Sequence, residues 1–437
     1  MKRKDMKLTN GIICTEKGLK KGLDIVIKNE RLYLEKSSKA NTEIKSIDLK
    51  GKYVFPGFIE LHTHGAGLFS FYAGRYSNEK KVFESSSEIY QEGLENWAKL
   101  RVKTGATKLY ASTAAIPLKK IRFALKELEK FIKNNSHYWM GKFYEGAMLE
   151  GTFINPANQG AMNTEYVFEP DRTVFDEINE TGLARLVNVP PDHGKKAVKL
   201  TEYLVSKGVS VGAGHTSATC RQFKESIEAG LKYFIHFLNG PTGNIYKSFF
   251  GGGALEAALT LDIMLELIVD GYHIAPWYIR DVFAKKESCD IMAITDSVFV
   301  SQSKGVREFE CDGIKGTVDK DYKYVYVTEK GPTTLYGSLA TIDKVFSNLL
   351  SYLTKPMSGI WHKKHPAIPF EKALSITSAC CSTNIVKMIK KNNGDDLNTG
   401  EIKNGKFADL VIGEIKGRPG NYSLKIDSVF IRGEKVI

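Results

Sequence analysis

Residues 56–67 read PGFIELHTHGAG, a short apolar run that closes in His-Thr-His and a glycine-containing turn. Side chains of an extended segment alternate with a period of two, so the imidazoles of His62 and His64 lie on the same face. Both rings can therefore reach one centre. The meaning of this pair depends on the rest of the chain, where runs of the same kind recur.

Short apolar runs alternate with helix-length amphipathic stretches as far as residue 296. We count eight runs: FIELH (58–62), TKLYAST (107–113), EGAMLEG (145–151), ARLVNVP (184–190), VSVGAGH (209–215), YFIHF (233–237), LELIVDG (265–271) and DIMAITD (290–296). The helical candidates between them include 84–105, 119–135, 195–208 and 219–230, and several end in glycine, as helix C-termini prefer. Eight strand–helix units predict an α/β fold, a (β/α)8 TIM-like barrel, with a doubly wound open sheet as the alternative.

The two ends of the chain differ from this middle. The first fifty residues contain LDIVIK (23–28), a turn at Asn29-Glu30 and RLYLE (31–35). The last forty contain strand-like runs and no helix-length period. We therefore expect residues 1–55 plus 400–437 to form a small discontinuous β-sandwich domain beside a catalytic barrel at 56–399.

Active sites of parallel barrels collect at the carboxyl ends of the strands. Metal-ligand residue types stand at those ends: His62, His64, Glu150, His215, His236, His273 and Asp296. Imidazole plus carboxylate is the ligand set of zinc, ferrous iron or manganese, and such sites usually leave one position open for water. A carboxylate such as Asp296 beside ion-activated water can act as a general base and later protonate a leaving amine, so these residues predict amide hydrolysis.

Composition excludes several classes of protein. The chain has 437 residues, of which 42% are hydrophobic and 26% charged, which is typical of a folded globular protein. The net charge of +12 comes from lysines in ones and twos, without the basic stripe of a nucleic-acid-binding protein. The most apolar segment, 261–277, is interrupted by Asp262, Glu266 and Asp270, and no signal peptide is recognisable, so we expect a soluble cytoplasmic protein without a membrane partner.

The cysteines point to the same compartment. None of the six is spaced as CxxC, which argues against a disulfide framework or a thiolate zinc site: Cys14, Cys220, Cys289, Cys311, Cys380 and Cys381. Free cysteines of this kind suit a reducing cytoplasm.

Motifs along nearly the whole chain occur in a fixed order. They are PGFIELHTHGAG (56–67), LEGTFINPANQGAMN (149–163), AGHTSAT (213–219), IHFLNG (235–240), VDGYH (269–273), ITDS (294–297), LYGSLATIDKVFSNLL (335–350) and GEIKNGKFADLVI (400–412). In this order they resemble the amidohydrolase superfamily, and within it the N-acetylglucosamine-6-phosphate deacetylases. The first and last motifs are shared across the superfamily, whereas LEGxFxNPxxxGA and AGHTxAT are specific to the deacetylases.

The resemblance implies metal ligation by Glu150, His215 and His236, with a second metal available to His62 and His64. The implied cofactor is one or two divalent ions per chain, zinc first, with Fe2+, Mn2+ or Co2+ as alternatives. A homodimer is expected from the resemblance alone.

The resemblance also assigns roles in catalysis and substrate binding. Asp296 is the implied general acid/base, and His273 contacts the substrate and helps to polarise the acyl carbonyl. Asn239 and Gly240 stand where the sugar phosphate binds, and Lys247 takes the place of the family's phosphate-binding Arg.

Four departures from the family pattern all fall on the substrate side. Met162 stands where a substrate-contacting His is usual, and a thioether is only a weak hydrogen-bond acceptor. Lys247 keeps the charge of Arg but loses its bidentate fork. Thr152 replaces a Pro, and Gly240-Pro241 replaces Ala-Met.

The leading hypothesis is deacetylation of N-acetylglucosamine 6-phosphate to glucosamine 6-phosphate and acetate. The alternative is a related amidohydrolase with a shifted substrate, such as N-acetylgalactosamine 6-phosphate, an unphosphorylated N-acyl sugar or an N-acyl amino acid. A third reading, from another class, is an inactive barrel used as a binding module.

Overall fold

The computed structural model describes residues 5–37, 44–239, 251–393 and 397–437. Its centre is an eight-stranded parallel sheet whose strands pair in chain order. The strands are β1 (Phe58–Thr63), β2 (Ala106–Ser112), β3 (Tyr144–Leu149), β4 (Ala184–Asn188), β5 (Ser210–Ala213), β6 (Tyr233–Phe234), β7 (Met264–Ile268) and β8 (Ile291–Ile294). Nearly every residue in them is buried, as expected for parallel strands covered on both faces.

The sheet closes on itself where β8 meets β1. Thr63 and Ser297 form a parallel bridge. Beside it, the Asp296 N–H donates to the carbonyl of His62 (3.0 Å) and the His64 N–H donates to the carbonyl of Ser297 (2.8 Å). The barrel prediction is therefore confirmed against the open-sheet alternative.

Helices separate the strands and continue after β8. They are α1 (Ser87–Val102), α2 (Leu118–Asn134), α3 (Arg172–Ile178), α4 (Lys195–Ser206), α5 (Cys220–Glu228), α6 (Ala254–Thr260), α7 (Pro276–Lys285), α8 (Ile342–Thr354), α9 (Phe370–Cys380) and α10 (Thr383–Asn393). The four helical candidates from the sequence correspond to α1, α2, α4 and α5. Polar residues fix where these helices begin; Thr219 and Gln222, for example, form a reciprocal capping box at α5.

One end of the barrel is filled by apolar side chains. Inward-facing strand residues such as Leu61 and Met148 form one cluster with Ile385 and Met388 of α10. Asn384 donates to the carbonyl of Ile291, the first residue of β8, at 2.8 Å. Helix α10 therefore covers the amino ends of the strands, and the opposite end remains for chemistry.

Strands from both ends of the chain form two sheets beside the barrel. A four-stranded sheet contains Arg31–Lys36, Leu23–Lys28, Met6–Thr9 and Lys45–Asp48. A six-stranded sheet contains Glu434–Lys435, Asn421–Ile431, Leu410–Arg418, Tyr53–Pro56, Ile12–Thr15 and Gly18–Lys20. Residues of both sheets, including Ile25 and Phe430, share a separate apolar cluster. The division of the chain into two domains at 55 and 400 stays a prediction.

Two small sheets were not anticipated from the sequence. One follows β1 and contains Gly65–Ala66, Phe69–Ser70, Gly74–Ser77 and Val82–Glu84; the other follows β8 and contains Glu308–Cys311, Ile314–Val318 and Val325–Val327. They contact each other, since the Tyr76 hydroxyl donates to the carbonyl of Glu308 (3.2 Å). In the part of the chain that is described, none of the helices combines the length and the hydropathy required to span a bilayer.

Candidate metal centre at the carboxyl ends of the barrel strands

Several acids and imidazoles stand just beyond the carboxyl ends of the strands. Strand β5 ends at Ala213, β6 at Phe234 and β8 at Ile294, each two residues before a predicted site residue. These residues are the predicted ligands His215 and His236 and the predicted acid/base Asp296, and their φ angles are 53°, 34° and 49°. Left-handed backbone is costly for such residues and concentrates at functional sites. It also explains why the apolar runs extend past the observed strands.

Glu150, directly after β3, lies between two pairs of histidines. Its Oε1 is 2.7 Å from His236 Nε2 and 3.4 Å from His215 Nε2. Its Oε2 is 3.3 Å from Nε2 of both His62 and His64. One carboxylate thus has one oxygen on each pair.

These five side chains form two groups that can each hold a cation. The donor atoms of His62, His64 and Glu150 all lie within 4.8 Å of one another, and so do those of Glu150, His215 and His236. All five residues are buried. The structure therefore brings together the five residues predicted as metal ligands, in two sets that share Glu150.

In three of these imidazoles, Nδ1 donates a hydrogen bond to a neighbouring oxygen on the side away from Glu150. Nδ1 of His62 donates to Glu266 Oε2 (3.1 Å), Nδ1 of His215 to the carbonyl of Asn158 (2.8 Å), and Nδ1 of His236 to the carbonyl of Asn239 (3.1 Å). Such partners fix ring orientation and place the lone pair on Nε2. The three Nε2 atoms are those that face Glu150.

Asp296 faces the His62/His64 side of the centre. Its Oδ1 is 3.1 Å from His64 Nε2 and 3.5 Å from His62 Nε2. The carboxylate is buried, which raises its pKa, but the positive charges of these two imidazoles outweigh burial and hold the pKa below its ordinary value. Asp296 is therefore ionised and able to accept a proton.

The charges of Glu150, Asp296 and the surrounding histidines favour binding of a cation. Burial raises the pKa of Glu150, yet the charge of His62 and hydrogen bonds from the other imidazoles bring it well below its ordinary value. Burial lowers the pKa of His62, but the negative charges of Glu150 and Asp296 raise it well above its ordinary value. The carboxylates thus favour positive charge between them, and a divalent ion supplies it.

The donor set fits a divalent metal ion. Nε2 of His62 is buried and makes no aligned hydrogen bond within the described residues, although a carboxylate oxygen lies 3.3 Å away. A divalent ion would displace the proton of His62 and bind the lone pair of Nε2 between the carboxylates. The histidines and Glu150 would hold the ion or ions, and Asp296 would stand beside them.

The structure describes only some of the remaining predicted site residues. His273 follows β7, and its Nδ1 donates to Asp270 Oδ2 at 2.7 Å. Asn239 has a buried Nδ2 without a hydrogen-bond partner in the described ranges. Met162 is buried, and its sulfur accepts a hydrogen bond from the Ala115 N–H (3.4 Å). Gly240 and Lys247, like Pro241, lie outside the described residues.

Two acids beside the metal centre, Glu266 and Asp270, were not predicted as functional residues. In the sequence they stand out only as charges that interrupt an apolar segment. In the structure Glu266 is completely buried in β7, where it holds His62 Nδ1 and accepts from the backbone N–H of His236 (3.1 Å). A charge within an otherwise apolar barrel strand was the signal, because an ion is seldom fully buried unless it is paired.

An eight-stranded parallel barrel that gathers imidazoles and carboxylates at the carboxyl ends of its strands can hold a divalent ion where parallel barrels carry their active sites. Comparisons with known proteins show what the chain is similar to. No protein-family model matches the sequence.

Several curated relatives and solved structures that resemble the chain are named N-acetylglucosamine-6-phosphate deacetylase. An N-acetylglucosamine-6-phosphate deacetylase from Lysinibacillus sphaericus is 24% identical over 385 residues, 84% of this chain and 83% of the relative. The crystal structure of the deacetylase of that name from Pasteurella multocida matches with a TM-score of 0.79 and 21% identity, over 99% of each chain. The structure of the Mycobacterium smegmatis deacetylase in complex with N-acetyl-D-glucosamine-6-phosphate matches with a TM-score of 0.78 and 21% identity, over 100% of each chain. The structural matches establish the fold.

Proposed function

We propose that this chain is a metal-dependent hydrolase that removes the acetyl group of N-acetylglucosamine 6-phosphate, giving glucosamine 6-phosphate and acetate. One observation carries the proposal. Glu150 presents one oxygen to His215 and His236 and the other to His62 and His64. The names of the curated relatives and the sugar phosphate bound in one structural neighbour support the choice of substrate.

A divalent ion bound by these residues would polarise the amide carbonyl and lower the pKa of water, so that water can lose a proton and attack the carbonyl carbon. Asp296 takes the proton from the attacking water. Its carboxylate is ionised, and it lies beside the proposed metal site, with Oδ1 3.1 Å from Nε2 of the candidate ligand His64. The water oxygen bonds to the carbonyl carbon, and the carbon–nitrogen bond breaks. Asp296 then passes the proton to the leaving nitrogen, so that acetate and an amine result.

His273 has the geometry of a group that positions the carbonyl. Its Nδ1–H is donated to Asp270, which also accepts from the backbone N–H of Tyr272 (2.8 Å) and of His273 itself (2.9 Å). Burial raises the pKa of Asp270, but the charge and hydrogen bonds of His273 lower it below its ordinary value. The carboxylate thus fixes the orientation of the His273 ring through Nδ1, which leaves Nε2 as the ring nitrogen assigned to the substrate.

Sugar-phosphate binding is assigned to Asn239, Gly240 and Lys247. The buried Nδ2 of Asn239, which has no hydrogen-bond partner among the described residues, supplies a donor beside the metal centre. The positively charged Lys247 would neutralise the phosphate. Zinc is our first choice of metal, and the two histidine pairs favour two ions per chain, although one ion in the Glu150–His215–His236 set suffices for the chemistry. A homodimer and a cytoplasmic location complete the proposal.

Met162 favours one alternative, a related amidohydrolase with a shifted substrate. Its sulfur already accepts from the Ala115 N–H, so it offers the sugar little beyond apolar contact. N-acetylgalactosamine 6-phosphate, unphosphorylated N-acyl sugars and N-acyl amino acids are the substrates to compare. A binding module without catalysis would not require five convergent buried ligands.

The proposal is tested by acetate release from N-acetylglucosamine 6-phosphate by protein of measured metal content. We expect activity, and an Asp296→Asn variant with a rate lower by about 10²- to 10⁴-fold. Asp427→Asn, a matched change at an exposed residue of a strand outside the barrel, serves as the control. Full activity in Asp296→Asn would remove the role assigned to Asp296. No acetate from any acylated sugar would leave the N-acyl amino acids and the binding module as the remaining readings.

Phosphate recognition has its own test. Lys247→Ala should raise KM for the phosphorylated sugar with little change in kcat, because a uniformly bound phosphate contributes to binding more than to the chemical step. An unchanged KM would overturn the phosphate assignment and favour an unphosphorylated substrate.

A further inference from the structure

Strand β4 lies between β3, which leads to Glu150, and β5, which leads to His215, but it carries none of the predicted metal ligands. Two polar residues nevertheless stand at its carboxyl end. Asn188 is the last residue of β4 and is completely buried, and Asp192 is half-buried in the short helical turn at Pro191–His193. Buried polar groups require hydrogen-bond partners, and the partners of these two side chains lie on either side of His215.

Asn188 holds the residue that precedes His215. Its Oδ1 accepts from the Gly214 N–H (3.0 Å), and its Nδ2 donates to the Gly214 carbonyl (3.4 Å). The Gly214 carbonyl belongs to the same planar peptide group as the N–H of His215. Asn188 therefore fixes the peptide plane from which the φ angle of His215 is measured.

Asp192 holds the two residues that follow His215. Its carboxylate accepts from the Thr216 hydroxyl and, through Oδ1, from the backbone N–H of Ser217 (2.6 Å). The Thr216 hydroxyl in turn accepts from the Ala218 N–H (3.0 Å). The backbone is thus held on both sides of His215 by side chains that follow or end β4.

The same carboxylate binds the segment that orients the His215 ring. Oδ1 of Asp192 also accepts from Nδ2 of Asn155 (2.8 Å), and Asn155 precedes the helical turn at Pro156–Asn158. The carbonyl of Asn158 accepts from His215 Nδ1 (2.8 Å). Asp192 therefore connects the segment that carries His215 to the segment that fixes its ring.

These contacts account for an unfavourable backbone conformation. His215 has a φ of 53°, in the left-handed region that residues with a side chain seldom adopt. Such a conformation persists only where the surrounding structure over-determines it. Asn188 fixes the chain before His215, so its position depends on what holds the chain after it, and that group is Asp192. In this position His215 Nε2 lies 3.4 Å from Glu150 Oε1.

We propose that Asp192 is a positioning residue that prepares His215 to bind a divalent ion in the Glu150–His215–His236 set. The inference rests on the metal centre of the proposed function and adds to it a residue outside the ligand set. Asp192 acts through the backbone after His215 and through Asn155. The His62/His64 set should not depend on it, because its histidines belong to β1 and the residues just after it, and β2 and β3 separate β1 from β4.

The test measures the two sets separately in ligand variants. His64→Asn keeps the Glu150–His215–His236 set, and His215→Asn keeps the His62/His64 set. The dissociation constant for Zn2+ is measured in each by competition with a chromophoric chelator. Adding Asp192→Ala should raise this constant about 10- to 100-fold in His64→Asn, as expected when a group that orients a ligand is removed, and should leave it unchanged in His215→Asn.

Selective loss of one set is a result that a purely structural role would not produce, since general loosening of the fold would weaken both. Asp176→Ala is the matched control, because Asp176 is an exposed acid on α3 that accepts only at the surface, from the Tyr203 hydroxyl (2.7 Å and 2.8 Å). It should leave both dissociation constants unchanged. If Asp192→Ala does not fold, Asp192→Asn keeps the volume and one oxygen acceptor and should weaken the same set by a smaller factor.

The outcomes separate this inference from the proposed function. Equal weakening of Zn2+ binding in both backgrounds would make Asp192 a structural residue, and unchanged dissociation constants in both would remove its role. Either result overturns the inference while wild-type release of acetate leaves the proposed function intact. Wild-type protein that binds no Zn2+ and releases no acetate would overturn the proposed function, and this inference with it.

Discussion

Replacing Glu150 by glutamine tests the role of the shared carboxylate with little change in shape. The side chain keeps its volume, but one oxygen becomes an amide NH2 and the negative charge is lost. Its oxygens now lie 2.7 Å to 3.4 Å from the Nε2 atoms of the four surrounding histidines. The substitution therefore affects both candidate metal sets at once.

The expected loss of metal affinity in Glu150→Gln is large because Glu150 is buried. Glu150 is 1% exposed, so the charge it balances cannot be compensated by water. Removing one partner of a buried ion pair costs about 3–5 kcal/mol. Since about 1.4 kcal/mol corresponds to a factor of ten, the dissociation constant for the ion should rise by roughly 100- to 4,000-fold.

The assay is competition with a chromophoric chelator, together with elemental analysis of the purified protein. We expect Glu150→Gln to lose ions from both sets, whereas His64→Asn should weaken only the His62/His64 set. Glu177→Gln, an exposed Glu on α3 that pairs with Arg122, is the matched control and should bind as the wild type does. Unchanged affinity and stoichiometry in Glu150→Gln would refute the reasoning.

Three further expectations concern individual acids. Asp296→Asn should reduce kcat by about 10²- to 10⁴-fold without changing metal content, which stopped-assay kinetics and elemental analysis check together; loss of the metal instead would make Asp296 a ligand and not a base. Asp270→Asn should lower kcat/KM by up to about 100-fold through a displaced His273 ring, and the pH dependence of kcat should change, whereas a purely structural role would leave that profile unmoved. Asp281→Ala should lower the free energy of unfolding by about 3 kcal/mol at pH 7, because three backbone N–H groups lose their acceptor. The deficit should become smaller in acid, and a deficit independent of pH in denaturant titrations would contradict it.

The expected pH dependence of the stability loss in Asp281→Ala follows from the pKa of Asp281. Burial raises the pKa of Asp281, but backbone hydrogen bonds from residues 360–362 and a hydrogen bond from His365 lower it below its ordinary value of 3.8. A carboxylate with a lowered pKa stabilises the fold above its unfolded pKa. That contribution is lost as the pH falls through the folded pKa, so the difference in stability between wild type and variant should decrease there.

Much of the barrel was predictable because parallel strands are buried on both faces and appear as continuous apolar runs. All eight runs correspond to strands, and the polar residues that end them converge as the carboxyl ends of a barrel must. The limits of the runs were less accurate. His215 and His236 continue apolar stretches, and only their left-handed backbone, which periodicity does not reveal, ends the strands earlier.

Other features could not be read from periodicity. The small sheet at Glu308–Cys311, Ile314–Val318 and Val325–Val327 has short strands of mixed exposure, and only its tertiary position places Ile314 in the wall of a cavity that His64 also lines. The inward direction of Glu266 depends on the register of β7. Both are set by contacts between distant segments, which a local pattern does not contain.

The most direct test of the account is a crystal structure of metal-loaded protein with anomalous data collected at the metal edge. The account predicts a peak bound by Glu150, His215 and His236 at about 2.0–2.2 Å from each donor atom. When both sites are filled, it predicts a second peak on the His62/His64 side of the same carboxylate. A loaded ion bound elsewhere, with Glu150 contacting neither peak, would contradict it.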